Sequence, residues 1–271
     1  MPCYTLEEQI ISCIARSFSA GDALAVIATS ASGEMGLIMA KKLYAPRLSL
    51  LGYAGGRYGV LSDIRFPFVP GKMPKETIET LYSTDEAFGM VLSGKYFVIM
   101  QPVQIDQHGY MNLSLIGDKR KPTNSFVGSR GVPTNTVVQP RTLYFVPSHT
   151  RRVFVENVDF KSGVGMGEER KNGTVKWGAP IEVISNLCVI DFDETTDRAR
   201  LKSLHSGVTI EEVRENTGFD LIIPDDIPET TIPTEQELHV LRTDIDPLGV
   251  RRLDFLKGQE YREVLGEIIG S

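Results

Sequence analysis

The short run at residues 23–28 constrains the fold most, because all six of its residues are apolar. A run of this kind is typical of a strand that is covered on both faces, as in a parallel sheet. A helix is predicted before it, where Thr5 and Glu8 have the spacing of a capping box. A second helix is predicted at about 35–43, and a second strand at 48–51. This alternation predicts an α/β fold around an open sheet.

Composition narrows the class of protein. The 271 residues are 41% apolar and 24% charged, as in an ordinary globular protein, and we predict one domain over residues 1–271. The net charge of −6 argues against nucleic acid as a partner. The cysteines, Cys3, Cys13 and Cys188, are too far apart to indicate a zinc site or a disulfide framework. Because there is no signal pattern and no apolar run of roughly 20 residues, we expect a cytoplasmic protein with no membrane partner.

Later stretches continue the same pattern. Capping residues Thr209 and Thr234 indicate two further helices, and the segment after Asp246 is predicted to be a partner surface or a frayed end. Residues 160–167 are predicted to form a mobile loop. The pair Arg151 and Arg152 is interpreted as an interface or surface feature. Further strands are predicted at 96–100, 142–146, from 151, at 180–185, 188–192 and 199–204.

The loop at residues 126–136 is the first candidate site. Gly128 and Gly131 flank Arg130, and glycines allow a ligand to approach the backbone closely. Successive free N–H groups in such a loop form an anion-binding hollow, and a guanidinium suits a carboxylate or phosphate. The alternative is a surface turn with an incidental arginine.

The glycine-rich stretch 52–59 is the second candidate. It is predicted to be a loop at the carboxyl end of a strand, which is where open α/β sheets bind ligands. Tyr53 and Tyr58 would form a wall of the site and Arg57 would meet an anionic group. The spacing does not match a phosphate-binding P-loop, and a flexible connection is the alternative.

Several stretches together resemble the β subunits of the class I CoA-transferase family. The matching residues are 41–46, 104–112, 128–131, 151–159, 211–219 and 244–247. The resemblance implies a three-layer α/β/α sandwich around a mostly parallel sheet. It also implies an α subunit as partner, in a heterodimer or heterotetramer, with acyl-CoA bound at the subunit junction. Coenzyme A would enter as part of the substrate, and no separate cofactor or metal is expected.

One departure from the family concerns its glutamate nucleophile. The family position falls on or next to Tyr53, and residues 48–59 contain no Asp or Glu. Tyrosine cannot form the acyl anhydride that CoA transfer requires. Glu34 and Asp63 do not fit the family position, and Glu34 is interpreted as compensating a helix dipole.

A second branch of the family is more similar. Residues 128–136, 151–163, 183–187, 203–209 and 233–242 resemble the β subunits of hydrolases that open the last rings of cholesterol. That resemblance implies an essential glutamate on the α subunit and Arg130 as the catalytic residue of this chain. The predicted substrate-binding residues are Tyr53, Arg57, Tyr58, Phe126, Gly128, Gly131 and Asn135, with core packing as the alternative for Phe126.

The sequence therefore predicts a subunit that acts in hydrolytic, retro-Claisen ring opening of a cyclic keto acyl-CoA. A true CoA-transferase that takes its glutamate from the partner is one alternative. A non-catalytic acyl-CoA-binding subunit is the other, and the missing carboxylate is its main support.

Overall fold

The computed structural model describes residues 3–18, 24–26, 30–54, 57–61, 78–126, 128–129, 131–178 and 180–270. The chain divides into two compact units. Unit 1 is Met1–Met90 with Thr231–Ser271, and unit 2 is Val91–Thr230. The single domain over residues 1–271 stays a prediction.

Unit 1 combines helices with a run of four strands in the order β1-β2-β3-β4. Strands β1 and β2 are parallel, whereas β2–β3 and β3–β4 are antiparallel. Its elements are α1 (Leu6–Arg16), β1 (Leu24–Val26), α2 (Ala31–Leu43), β2 (Ser49–Ala54), β3 (Arg57–Leu61), β4 (Ile78–Tyr82), α3 (Thr84–Val91), α7 (Glu235–Val240), a π-helical turn (Leu241–Ile245), a 3-10 helix (Val250–Asp254) and α8 (Gly258–Gly270).

Helix α1 forms as its sequence predicts. The capping box of Thr5 and Glu8 is present, and the Thr5 backbone N–H donates to the Glu8 carboxylate at 2.9 Å. Ile10 and Ile14 recur at helical spacing and are fully buried. A Cβ on Gly36 of α2 would lie 2.4 Å from the Ile14 side chain, so glycine lets the two helices pack closely.

Two predictions for unit 1 were wrong at their boundaries. Helix α2 begins at Ala31 rather than near residue 35, because the Ser30 hydroxyl accepts from the Gly33 N–H at 3.1 Å and caps it. The predicted loop at 52–59 is mostly strand, since β2 and β3 pair with Ala54 opposite Arg57.

The C-terminal segment of unit 1 is tied to α1 through a buried carboxylate. Glu8 accepts hydrogen bonds from Arg242 at 2.8 and 2.7 Å and from Arg251 at 2.8 Å. Arg251 also contacts the buried Asp246 at 2.9 Å. These guanidiniums and the Thr5 N–H hold the pKa of Glu8 below its usual value, despite burial that acts to raise it. The prediction of a frayed end is therefore wrong for Arg251, whereas the alternative of a partner surface stays a prediction.

Unit 2 is built on five strands in the order β13-β12-β11-β10-β5. Strands β5, β10 and β11 are parallel, and β12 and β13 extend them in antiparallel fashion. Its elements are β5 (Phe97–Met100), β6 (Gln104–Ile105), β7 (Met111–Asn112), β8 (Leu115–Asp118), β9 (Lys121–Ser125), α4 (Val132–Val138), β10 (Arg141–Val146), α5 (Glu168–Lys171), β11 (Pro180–Ser185), β12 (Cys188–Phe192), β13 (Ala199–Leu204) and α6 (Ile210–Asn216).

Two segments of unit 2 differ from the sequence predictions. The predicted strand from residue 151 is a turn, and only Phe154 forms a bridge, to Ile105. The predicted mobile loop at 160–167 is packed, because a Cβ on Gly165 would lie 2.1 Å from the His108 carbonyl oxygen. Only glycine allows that approach.

The predicted α/β class is confirmed, because each unit combines helices with both parallel and antiparallel strand pairs. Over the ranges that the structure describes, none of the helices is long and apolar enough to cross a bilayer. The same ranges hold no group of three or more His, Cys, Asp or Glu side chains that could bind a metal ion. Cys3, Cys13 and Cys188 are free thiols.

Candidate functional site

The candidate arginine, Arg130, lies outside the described residues. The backbones of Tyr53, Arg57 and Tyr58 are described, and Tyr53 lies opposite Tyr58 in the β2–β3 pair. The side chains of these three residues lie outside the description. The candidate Asp63 lies entirely outside the described residues. The site must therefore be built from the residues on both sides of Arg130.

The backbone on either side of Arg130 forms a tight turn that leads into α4. Gly128 has a φ of +91°, a conformation that favours glycine, and a Cβ there would meet nothing within 4 Å. The Val132 N–H donates to the Ser129 carbonyl oxygen at 2.8 Å, so a backbone hydrogen bond joins the two flanking segments. Gly131 is the N-cap of α4. Sequence reasoning missed this helix, although Pro133 near its start was a signal for it.

Three serines fasten this turn to neighbouring segments, and we call them the serine cluster: Ser114, Ser129 and Ser162. The Ser114 hydroxyl oxygen lies 2.7 Å from that of Ser129 and 2.8 Å from that of Ser162. Ser162 also accepts from the Leu113 N–H at 2.9 Å. The cluster therefore anchors Ser129, the described residue directly before Arg130, by its side chain.

A buried amide pair supports the serine cluster. Asn112 donates to Gln104 at 2.7 Å and to the Leu115 carbonyl oxygen at 2.6 Å. Gln104 in turn donates to Asp159 at 3.0 Å, and Asp159 accepts from the Gly117 N–H at 2.9 Å. These contacts join segments up to 55 residues apart in the chain. Spacing along the sequence therefore could not reveal their role.

Asn135, a predicted substrate-binding residue, has an unsatisfied acceptor. It lies in α4, and its N–H donates to the Gly131 carbonyl oxygen at 2.9 Å. Its side-chain Oδ1 is buried and has no hydrogen-bond partner among the residues that the structure describes. An unpaired buried acceptor costs about 1–3 kcal/mol, so a native structure retains one where a ligand or another group supplies the donor.

Phe126 is exposed at the start of the same loop. Its side chain is 45% exposed, and its N–H donates to the Ser114 carbonyl oxygen at 2.9 Å. The alternative of core packing for this residue is therefore wrong. An exposed ring beside an arginine loop suits an apolar substrate surface.

Glu34 is a carboxyl group that sequence reasoning set aside. Burial, together with the nearby Asp254 carboxylate, raises its pKa to about 7. Asp254 itself accepts from the Ser32 N–H at 2.7 Å in the first turn of α2. A carboxyl with this pKa can exchange a proton near neutral pH. Glu34 lies in the first turn of α2, where a carboxylate compensates the helix dipole, but burial and the Asp254 carboxylate oppose its ionisation.

A second polar group in unit 2 has residue types that suggest catalysis, and we call it the histidine cluster: His149, Ser185, Cys188 and Thr217. His149 Nδ1 lies 2.8 Å from Ser185 Oγ, and Nε2 lies 3.0 Å from Thr217 Oγ1. Burial lowers the pKa of His149 to about 3 and raises the pKa of the Cys188 thiol to about 12. A neutral imidazole and an un-ionised thiol, both buried, are structural groups rather than a base and a nucleophile.

The described residues form an α/β protein with a serine cluster beside the candidate loop, and comparison with known proteins identifies its family. Residues 68–216 match the family model for coenzyme A transferase. The chain belongs to this family.

The relatives identify the branch. The chain is 38% identical over 187 residues to the cholesterol ring-cleaving hydrolase IpdB subunit of Rhodococcus jostii, which covers 69% of this chain and 74% of that one. It is 32% identical over 149 residues to a glutaconate CoA-transferase subunit of Acidaminococcus fermentans, with 53% and 54% covered. The crystal structure of IpdAB from Rhodococcus jostii matches with a TM-score of 0.82 and 31% identity, over 94% of this chain and 100% of that one. The resemblance predicted from the sequence, including its three-layer α/β fold, is confirmed.

Proposed function

We propose that this chain is the β subunit of a heteromeric enzyme that hydrolytically opens a ring of a cyclic keto acyl-CoA. The similarity to a cholesterol ring-cleaving hydrolase subunit, in sequence and in fold, carries the proposal. By the same similarity, the partner is an α subunit. The substrate class is a steroid-derived or related acyl-CoA, and the location is the cytoplasm.

The proposed reaction is a retro-Claisen hydrolysis. Water, deprotonated by a glutamate of the α subunit, adds to the ring ketone carbon that is β to the thioester. The bond between this carbon and the α carbon then breaks, and its electron pair passes to the α carbon as a thioester enolate. A proton returned to that carbon completes the reaction, and the former ketone becomes a carboxylic acid. No further cofactor or metal takes part.

Arg130 is assigned the task of holding the negative charge that develops on oxygen. A guanidinium is always charged and donates through a planar fork, so it can stabilise an oxyanion without any proton transfer. The serine cluster supports this role because it fixes Ser129 at 2.7 Å from Ser114, one residue before Arg130. Preorganised donors of this kind need no rearrangement when the charge forms.

The remaining predicted residues would bind the substrate. The exposed ring of Phe126 would cover the apolar ring system of the acyl group. The unpaired Oδ1 of Asn135 would accept a hydrogen bond from the substrate. Gly128 and Gly131 would let the substrate approach the backbone. The roles predicted from the sequence for Tyr53, Arg57 and Tyr58 stay predictions.

Turnover in water enriched in oxygen-18 tests the proposal. The assembled enzyme is expected to place one heavy oxygen in the new carboxylic acid, with coenzyme A still attached to the product. CoA transfer to a free acid, through an intermediate that hydroxylamine or borohydride traps as a modified glutamate, would contradict it. That outcome would establish the second candidate, a true CoA-transferase, which the 32% identity to a glutaconate CoA-transferase subunit favours.

A different measurement distinguishes the proposed catalytic subunit from a non-catalytic acyl-CoA-binding subunit. The purified chain alone would then bind acyl-CoA tightly, recruit no partner and leave the turnover of any partner unchanged. Under the proposed function, the ring-opening activity requires both subunits.

A further inference from the structure

A cavity of about 470 Å³ lies in unit 2, beside the histidine cluster. Its volume falls within the range of small-molecule sites, roughly 300–1,000 Å³. The residues that decide its chemistry are Arg151, Glu156, Arg214 and Phe219, with Thr217 and Gly218 contributing to the wall. None of them belongs to the site proposed above.

The two arginines that line the cavity are available to a ligand. Arg151 and Arg214 are both exposed, and neither has a hydrogen-bond or ion-pair partner among the described residues. Asp220 also lines the cavity, but its carboxylate is paired with Arg198 at 3.3 Å. The unpaired guanidiniums therefore outnumber the one unpaired carboxylate, that of Glu156, and the cavity favours an anion.

The wall of the cavity is rigid. The Gly218 N–H donates to the Phe154 carbonyl oxygen at 2.8 Å, and a Cβ on Gly218 would lie 2.3 Å from that oxygen. Thr217 is held by His149 at 3.0 Å, and His149 stacks on Phe154 with a centroid distance of 3.7 Å. This gives the histidine cluster a structural task, because it supports the wall from behind.

The side chains together indicate one ligand class. Two guanidinium forks on one cavity suit a phosphate, which offers several acceptor oxygens. Phe219 is partly exposed and tilted against Phe154, so its ring can take a planar base. Glu156, as an acceptor, can receive the amino group of that base.

We propose that this cavity binds the phosphate-bearing adenosine group of a nucleotide. The group can come from a free nucleotide or from the nucleotide end of coenzyme A. The proposal does not depend on the ring-opening reaction, because binding alone tests it.

The test is calorimetric titration of the assembled enzyme with adenosine 3′,5′-bisphosphate. We expect saturable binding that Arg151→Ala and Arg214→Ala each weaken about 10-fold or more, because each guanidinium would donate charge-assisted hydrogen bonds to the phosphate. Arg152→Ala is the matched control, because Arg152 is exposed and adjacent but does not line the cavity. Thermal unfolding of each variant confirms that these exposed substitutions leave the fold intact.

Three results would overturn the proposal: no binding to the wild type, equal weakening by Arg152→Ala, or equally tight binding of adenosine without phosphate. Steady-state kinetics then distinguish a free nucleotide from the nucleotide end of coenzyme A as the natural ligand. If the cavity takes the substrate's own nucleotide, Arg151→Ala raises KM for acyl-CoA and the probe competes with it. If it takes a free nucleotide, KM is unchanged and the probe does not compete.

Discussion

The serine cluster and the histidine cluster of unit 2 use similar residue types in opposite ways. In the histidine cluster, both ring nitrogens of His149 have partners and the imidazole is only 3% exposed. Beside the serine cluster, Phe126 is exposed and the Asn135 acceptor is unpaired among the described residues. A catalytic-looking set of residues therefore does not mark a site when its hydrogen bonds are satisfied internally. A buried acceptor without a partner and an exposed aromatic ring are better indicators.

The largest expected effect is at Arg130, the residue that follows Ser129 of the serine cluster. Arg130→Ala should lower kcat by about 10²–10³-fold, because one donor to a developing oxyanion contributes about 3–4 kcal/mol. Its free energy of unfolding should stay within about 0.5 kcal/mol of the wild type, as for an ordinary surface substitution. Steady-state turnover and urea unfolding of the assembled enzyme measure the two quantities. Normal turnover would remove Arg130 from the mechanism.

Substitution in the histidine cluster should lower stability and leave kcat almost unchanged, which is the opposite of the effect expected for Arg130→Ala. His149→Ala removes two hydrogen bonds and leaves a cavity, so it should lower the free energy of unfolding by about 3 kcal/mol. The kcat per folded molecule should change little. If this variant instead kept its stability and lost turnover as Arg130→Ala does, the contrast between the two clusters would be wrong.

The pH dependence of stability tests whether the buried histidines of unit 2 have a structural role. Burial lowers the pKa of His149 to about 3 and that of His205 to about 4, whereas an unfolded histidine has a pKa of about 6.5. Below pH ~6.5 the unfolded chain therefore binds protons that the folded chain does not, and stability falls as the pH falls towards 3. Unfolding midpoints measured between pH 7 and 4 should decline, and less steeply in His149→Phe. His239→Gln, at an exposed histidine, is the control and should leave the slope unchanged.

The smallest expected effect concerns Asn135. Because its Oδ1 has no partner among the described residues, Asn135→Ala should not lower the free energy of unfolding, and it should raise KM roughly 3–10-fold. Thr136→Val is the matched control: its hydroxyl contacts the Val132 carbonyl oxygen at 3.3 Å and the Val164 N–H at 2.9 Å. It should lose stability without a change in KM. A large loss of stability in Asn135→Ala would show that the amide is structural.

Local signals in the sequence were enough for most of the fold. Caps such as Thr5 and Thr234, and the apolar run at 23–28, predicted the α/β class because they act within a few residues. Helix α4 was missed because it is short and rich in β-branched residues, and β3 was missed because glycines surround it.

The candidate site was predictable only in part. The position of Arg130 between two glycines indicated the loop. The serine cluster beside the loop could not be predicted, because it depends on contacts between distant residues such as Ser114 and Ser162. The pKa of Glu34 is raised by burial and then by the carboxylate of Asp254, which is more than 200 residues away in the chain. No pattern within one stretch contains such information.

The link between Glu8 and the C-terminal arginines has a practical consequence. A chain shortened at residue 240 would lose Arg242 and Arg251 and leave the Glu8 carboxylate without either cation. An ionised group stranded in this way is strongly destabilising. Protein engineers should therefore leave residues 241–254 in place when they add an affinity tag or fuse this subunit to its partner.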